Sequence, residues 1–392
     1  MVGMKRIYTG IDIGTYHVKA VIASAGETPE LPMQILGTGT ASSKGLRHGY
    51  IIDGKEVTKC IREALHRAAS AAKVKIRKAR IAIGGVGLDE LRSTAEVTLT
   101  PSGGIVTERD VERVLRESEK RAASKLTNRT IIHTIPIEFR IDGIRVFGKP
   151  EGLQGTKLAV DCLLITILTH HHDELIEAVE NAGVEVEGLM AAPLAASLVT
   201  LSKSQKTAGV VLANIGAQTL SIVIFDNDTP VSLKVFPVGS SDITNTIALS
   251  LQIPLPEAEQ LKRGAVTGSD VPPKRMQGIV SMRLRDMFTL INAHLKSIER
   301  ARLLPAGIVI TGGGSGLASV SDIARAILKL PSQISQIGYL PRSSTVDATW
   351  AVAYGLCRWA YAEELAGNGS SLGEVARNAW DSVKQWVRSL LP

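Results

Sequence analysis

The sequence predicts an α/β protein of two lobes that face each other across a phosphate-binding cleft. Three stretches predict it. The first is Gly10-Ile11-Asp12-Ile13-Gly14-Thr15-Tyr16-His17-Val18-Lys19-Ala20-Val21-Ile22, a short apolar strand, a tight polar turn and a second apolar strand. The second repeats that pattern about 200 residues on, as Gly209 to Ile224, which suggests a duplicated domain. The third is a strand, Ile308 to Ile310, that runs through Thr311 into the Gly312-Gly313-Gly314 loop ahead of a helix.

The chemistry of the first turn follows from its residue types. Gly14 can take backbone angles closed to other residues, so main-chain N–H groups can turn toward one point. Such donors form an anion nest, and Asp12 beside it can hold a divalent cation through water. The spacing lacks the lysine of a P-loop. Laid on this hairpin, Asn214 falls on Asp12, Ile215 on Ile13 and Gly216 on Gly14. In the third stretch, glycine lets the backbone approach a flat or anionic ligand with no side chain in the way.

Between these landmarks the chain reads in order. Gln34 to Thr40 is a strand, Ser43 to Asp53 a glycine-containing turn segment, and Val57 to Ala72 a helix with Val57, Ile61, Leu65, Ala68 and Ala72 at helical spacing. Ala79 to Ile83 is a strand. The texture then changes: strands at Glu96 to Leu99, Thr130 to Phe139 and Leu158 to Leu168 surround a helix from Thr107 to about Lys125. Thr107 caps that helix and Asp110 lies in its acidic first turn. These 80 or so residues fit a compact inserted α+β subdomain. Asp173 to Ala182 and Pro193 to Leu201 read as helices around a strand at Val184 to Leu189. After the second hairpin come helices at Ile243 to Leu251, Pro256 to Arg263, Ile279 to Leu304, Val320 to Leu328 and Trp350 to Glu364.

Composition narrows the class. At 392 residues the chain can bury a large core in more than one domain. Cys60, Cys162 and Cys357 are far apart with no CxxC pair, which argues against disulfides or zinc and fits a reducing cytoplasm. The start carries no apolar stretch before the first strand, so no signal peptide is expected, and no apolar run is long enough to span a bilayer. A net charge of +7 is compatible with an anionic membrane surface, whereas 4% aromatic residues leave few stacking platforms for nucleic acid, which is not expected as a partner.

Taken together, GIDIGT, LANIGAQT and VITGGG resemble the first phosphate, second phosphate and adenosine motifs of the actin-like ATPase superfamily. Within it, the chain resembles the FtsA family of bacterial division proteins. The deciding stretch is His133-Thr134-Ile135-Pro136-Ile137-Glu138-Phe139 with Ile141-Asp142-Gly143, followed by Pro150-Glu151-Gly152-Leu153-Gln154-Gly155. It looks like that family's HxxPxxYxxDG…NPxGxxG signature, and Ala258-Glu259-Gln260-Leu261-Lys262 resembles its ribose-side AExLK.

The resemblance implies an actin-like, ribonuclease H-like fold. Residues 5–84 would form subdomain 1A with 166–205 and 341–364, and 85–165 the inserted subdomain 1C. Residues 206–236 and 306–340 would form 2A, 237–305 would form 2B, and 365–371 a linker. It also implies ATP and Mg²⁺ as cofactors. Asp12, Gly14, Thr15 and Tyr16 would touch phosphate, with Asp12 on the metal, and Gly216, Gln218 and Thr219 would face them. Glu259 and Lys262 would hold the ribose side, and Gly313 and Gly314 would lie under the adenosine. The family's second motif usually carries Asp and a third glycine where this chain has Asn214 and Gln218. A neutral Asn cannot polarise an attacking water as an Asp could. ATP binding with slow or absent hydrolysis is therefore expected.

The C-terminus adds a separate signal. Ala366 to Ser371 is linker-like in composition. Beyond it, at about 100° per residue, Leu372, Ala376, Ala379, Trp380, Val383, Trp386, Val387, Leu390 and Leu391 fall within an arc of about 140°. Arg377, Lys384 and Arg388 line one edge, where their stems can snorkel beside lipid. Trp380 and Trp386 suit a membrane interface, so residues 372–392 read as a membrane-targeting amphipathic helix, as FtsA relatives carry.

The function this implies is a peripheral scaffold on the cytoplasmic side of the membrane at the division septum. It would polymerise with copies of itself, bind anionic lipid, and tether the C-terminal peptide of FtsZ, with Arg283 or Arg285 pairing with that peptide's acidic groups. Other division proteins would bind through 1C. Two alternatives stand beside it: an actin-like pilus-assembly ATPase, and a sugar-kinase-like phosphotransferase. The latter needs a catalytic Asp between the lobes, for which no motif is found.

Overall fold

The computed structural model describes residues 6–25, 33–99, 104–265, 272–337 and 347–367. Apolar alternation makes Ile7–Ile13 (β1) and His17–Ser24 (β2) antiparallel neighbours, and Gln34–Ser42 (β3) continues the meander. A short ribbon, Leu46–Arg47 (β4) and Tyr50–Ile51 (β5), leads to helix Gly54–Ala72 (α1). Asp53 caps α1 by accepting from the amides of Lys55 and Glu56. The helix buries Val57, Ile61, Leu65 and Ala68, the spacing read from the sequence. Lys78–Ile83 (β6) then runs parallel to β1.

Asp89–Thr98 (β7), helix Glu108–Ala123 (α2), Arg129–Ile141 (β8), Ile144–Val146 (β9) and Lys157–Leu168 (β10) form a unit of their own. Its antiparallel sheet, ordered β7-β10-β8-β9, carries α2 over a separate core that includes Ala95, Val114, Leu158, Val160 and Leu164. The Thr107/Asp110 capping box is formed. β7 is longer than the expected Glu96–Leu99 strand. Its first half, Asp89-Glu90-Leu91-Arg92-Ser93, is too polar to announce itself and is held by pairing with β10.

The chain returns through Thr169–Asn181 (α3), Glu185–Ala191 (β11) and Ala192–Thr200 (α4). β11 pairs with β6 and completes a sheet ordered β11-β6-β1-β2-β3. The second lobe follows: Lys203–Ala208 (α5), Val210–Ile215 (β12), Leu220–Asp226 (β13), Thr229–Phe236 (β14), Ser240–Leu251 (α6), Leu255–Lys262 (α7) and Pro273–Ser297 (α8). It ends with Ile308–Thr311 (β15), Val320–Leu328 (α9), Ser332–Ile334 (β16) and Ala351–Gly367 (α10), the last of which packs back on the first lobe.

The second sheet is ordered β14-β13-β12-β15-β16. Each lobe is thus an antiparallel three-strand meander extended by two parallel strands. The duplication suggested by two hairpins extends to the whole sheet, and the registers agree. Asp12 pairs with Lys19 and Ala82, while Asn214 pairs with Ser221 and Thr311.

Two elements differ from the sequence reading for physical reasons. The helix expected over Ile279 to Leu304 runs instead over Pro273–Ser297, because Glu299 and Arg302 take positive φ and turn the chain into β15. β14 carries Pro230, which argues against a central strand, and β14 is the edge of its sheet. The insert covers that edge. Glu90 accepts from the Leu233 amide (2.6 Å) and the Ser232 hydroxyl (2.8 Å), and Lys234 pairs with Asp89 (3.2 Å).

His133 of the insert signature joins the insert to the first lobe. Its Nε2 accepts from the Ala191 amide at the β11–α4 junction (3.1 Å). Burial pulls its pKa down to about 4, so the ring is neutral at physiological pH. The folded value lies below the unfolded one near 6.5, so this stability is complete above pH 6.5 and is lost as the pH falls toward 4. The loss should approach about 3 kcal/mol at its limit. Thermal unfolding of the wild type should fall faster between pH 6.5 and 4.5 than that of His133→Gln, which keeps an acceptor that does not titrate. Parallel pH profiles would exclude this role.

Candidate functional site

The two turns face one another across a cleft of about 620 Å³, a size suited to a small-molecule ligand. They are built alike. A Cβ on Gly14 would lie 2.9 Å from the His17 carbonyl oxygen, and one on Gly216 would lie 3.0 Å from that of Thr219. Each turn therefore closes tightly at the same place, with little room for a side chain. Behind the second turn, the first amides of α6 donate to it: Ser240 N–H to the Gly216 carbonyl (2.9 Å) and Ser241 N–H to that of Ala217 (2.8 Å).

A third wall comes from the glycine loop after β15. Gly312 has φ +84°, and a Cβ there would be 2.2 Å from Asn214 Oδ1. Only glycine admits both that conformation and the Asn214 side chain beside it.

Of the residues singled out from the sequence, Asp12, Gly14, Thr15, Tyr16, Gly216, Thr219, Glu259, Lys262 and Gly313 line this one cleft. Gln218 and Gly314 are turned elsewhere. Gln218 leaves the phosphate side and bridges the lobes: its Oε1 accepts from the His48 amide (2.7 Å), and its carbonyl meets His48 Nδ1 (3.0 Å). Gly314 packs under the Ile215 side chain. A second bridge spans the mouth, where Arg263 donates to the Tyr16 hydroxyl (2.8 Å) with its guanidinium 5.3 Å from the ring.

Glu259 and Lys262 satisfy one another. The carboxylate accepts from Lys262 Nζ (2.6 Å), the Thr244 hydroxyl (2.6 Å) and Arg263 Nε (2.8 Å), while Lys262 also donates to the Ser240 carbonyl (3.1 Å). They form a braced rim joining α6 and α7. Arg283, on α8, donates to the Thr246 hydroxyl (2.7 Å) and pairs with Asp286, whereas Arg285 is exposed on the same helix. Trp380, Val383, Trp386, Val387, Leu390 and Leu391 lie outside the described residues.

Sequence reasoning missed Lys19. It is the cross-strand partner of Asp12, lines the cleft, donates to the Thr349 carbonyl (2.5 Å) and stands 5.4 Å from the centre of the Trp350 ring. Burial pulls its pKa below the ordinary value, while the charges of Asp12 and Asp347 hold it up. Burial likewise pushes the Asp12 carboxyl up to about 6 against the opposing pull of Lys19. The signal was present in the hairpin register, which makes Asp12 and Lys19 neighbours once the turn is fixed.

A divalent cation finds a thin donor set. Two carboxylates line the cleft, and Glu259 is already held by three donors, which leaves Asp12. Its counterpart Asn214 is neutral; a nucleotide-borne Mg²⁺ is held by one or two carboxylates beside phosphate oxygens and water, and Asp12 could supply one of them.

Comparison with known proteins follows the same outline. The family model described as "Cell division protein FtsA" matches residues 211–355, and that described as "SHS2 domain inserted in FTSA" matches 87–166; together they span more than half of the chain. The chain belongs to the FtsA family. It is similar to the FtsA of Pseudomonas aeruginosa, at 26% identity over 98% of both chains. It is also similar to the FtsA of Bacillus subtilis, at 26% over 90% of this chain and 83% of that one. The Escherichia coli K12 protein is 25% identical over 98% and 97%. Among solved structures, a PilM-PilN type IV pilus biogenesis complex matches with TM-score 0.67 at 18% identity, covering 89% of this chain and 97% of that one. MreB5 of Spiroplasma citri bound to AMPPNP matches with TM-score 0.55 at 12%, covering 93% and 99%. The fold is therefore actin-like, and the chain is an actin-like member of a cell-division family.

Proposed function

We propose that this protein is an ATP-binding scaffold of bacterial division. It closes on ATP, assembles with copies of itself into filaments, and holds to anionic lipid through residues 372–392 at the cytoplasmic face of the septal membrane. There it tethers the C-terminal peptide of FtsZ and offers its insert to other division proteins. The observation that carries the reading is the pair of matched turns, Asp12 to Tyr16 and Asn214 to Thr219, facing across one cleft beside the Gly312 loop. Tight turns of this kind present amides to phosphate oxygens, and the related MreB5 was solved with AMPPNP in place.

The same turns give a reason for weak chemistry. Hydrolysis needs a group that polarises a water in line with the γ-phosphate. Asn214 is neutral, and Gln218 is committed to His48. ATP then works as a wedge that favours the closed state, and its effect is set by how much better that state binds it.

For the FtsZ peptide, Arg285 is the better-presented cation on α8, because Arg283 is engaged in packing α8 against α6. An acidic peptide would pair with Arg285. A phosphotransferase would need a carboxylate able to take a proton from a hydroxyl; of the two in the cleft, Glu259 is held by three donors and Asp12 stands beside Lys19 across the hairpin. Retention of an FtsZ C-terminal peptide on the immobilised protein tests the reading. A peptide that passes through unretained would favour the pilus-assembly or phosphotransferase alternatives.

A further inference from the structure

The described chain ends at the same end of the first lobe where a basic segment is exposed. β1, β6 and β11 run parallel, so Ile7, Lys78 and Glu185 all stand at the end where these strands start. α10 runs the other way. Its Ala353 lies over Gly10, while Glu364 pairs with Arg6 and accepts from the Tyr8 hydroxyl, and Glu363 pairs with Arg80. Five steps of extended chain from Gly367 reach Leu372 within about 18 Å. The segment joining α1 to β6 arrives at this end too. In Lys73-Val74-Lys75-Ile76-Arg77 apolar and basic residues alternate: Val74 and Ile76 pack on the first-lobe core, and Lys73, Lys75 and Arg77 are exposed. The Glu185 amide donates to the Arg77 carbonyl (3.0 Å) and ties the segment to β11. The described acids nearby are already paired, Glu185 and Glu187 with Lys78, Glu363 with Arg80 and Glu364 with Arg6. Among the described residues no carboxylate pairs with Lys73, Lys75 or Arg77. Residues 1–5 and 26–32 lie outside the described residues and add Lys5, Glu27 and Glu30, so the sum of charges stays positive.

We propose that Lys73, Lys75 and Arg77 form a second lipid contact, a site on the folded body for the headgroups of anionic lipid. This rests on the reading of residues 372–392 as a lipid anchor and deepens it. That segment carries three basic and two acidic side chains, so it brings little net charge to the membrane itself. A basic patch close to an apolar anchor adds the second signal that stable attachment needs. The alternation of the segment holds the three cations outward on a fixed backbone, beside the point from which the anchor departs. Three cations alone attract a bilayer only weakly, so the body does not replace the anchor.

The test is partition of the full-length protein onto two kinds of vesicle, phosphatidylcholine alone and two parts phosphatidylcholine to one of phosphatidylserine. The wild type should bind the mixed vesicles about ten- to a hundredfold more tightly, and high salt should shrink that gain. Lys73→Gln/Lys75→Gln/Arg77→Gln should bind neutral vesicles like the wild type and lose most of the gain. Lys120→Gln/Lys125→Gln/Lys149→Gln removes the same charge from exposed positions on the insert and should keep it. Lys75→Glu alone should lower the gain as well, and it serves if the triple variant melts early in a thermal scan. A folded triple variant with the wild-type gain would overturn the proposal, as would an insert variant that loses the gain equally. Wild-type binding that is tight but indifferent to phosphatidylserine would overturn it and leave the anchor standing. Binding to neither vesicle would overturn both.

Discussion

Gly355→Val is expected to yield a strongly destabilised protein. Gly355 lies in α10 where that helix crosses α4, and even a Cβ there would sit 1.9 Å from the Ala195 carbonyl oxygen. The neighbour is backbone, so no rotamer change relieves the clash. On the opposite side of α10, a Cβ on Gly10 of β1 would lie 2.1 Å from the Ala353 carbonyl oxygen. The helix is therefore held between a strand and a helix by two close approaches. Arg80 adds an ion pair to Glu363 and stacks 4.3 Å over Trp359. Forcing a branched side chain into such a contact costs about 3 kcal/mol or more, a large share of the stability of an ordinary domain. Denaturant midpoint and soluble yield would both fall. Gly278→Ala is the matched control: a Cβ there meets nothing within 4 Å on α8, so helix propensity should raise stability by up to about 1 kcal/mol. A Gly355→Val protein with the wild-type midpoint would contradict this account of how α10 is seated.

Removal of residues 372–392 is expected to abolish sedimentation with anionic liposomes and leave a folded, soluble protein. That segment lies outside the described residues, and its sequence carries the expectation. Trp380, Val383, Trp386, Val387, Leu390 and Leu391 share one face, with three basic and two acidic side chains across residues 372–391. So nearly balanced a charge attracts lipid weakly, and apolar burial must supply the affinity. At roughly 1.5–3 kcal/mol per large apolar side chain, offset by ordering the segment, six of them support a partition change well above a hundredfold. Among the described residues no helix is long and apolar enough to cross a membrane. Liposome binding that survives the deletion would remove this segment from the account.

The parts legible from sequence were those whose chemistry is local. A Gly between two apolar strands marks a tight hairpin turn because the turn leaves little room for a side chain there, and both Gly14 and Gly216 are tightly closed. The duplication was visible for the same reason. Helix α1 followed from its apolar spacing, and α2 from its cap. What escaped depends on contacts remote in sequence. Gln218 was expected to face the phosphates with Gly216 and Thr219; its side chain instead meets His48, 170 positions away. Lys19 looked like one more residue of a strand until Thr349 and Trp350, more than 300 positions on, gave it a fixed place in the cleft. Glu259 and Lys262 were assigned to a ligand, yet their spacing on α7 first lets them bind each other. β14 was hidden by Pro230, which is tolerated because the strand is an edge.

The central claim is that this cleft holds ATP without consuming it efficiently. It is tested most directly by adding ATP to the purified protein and measuring bound nucleotide and released phosphate in the same sample over time. The account predicts saturable binding, with nucleotide recovered from the protein still as ATP after many times the binding time. Phosphate release at the rate of an efficient ATPase, or no saturable binding at all, would contradict it.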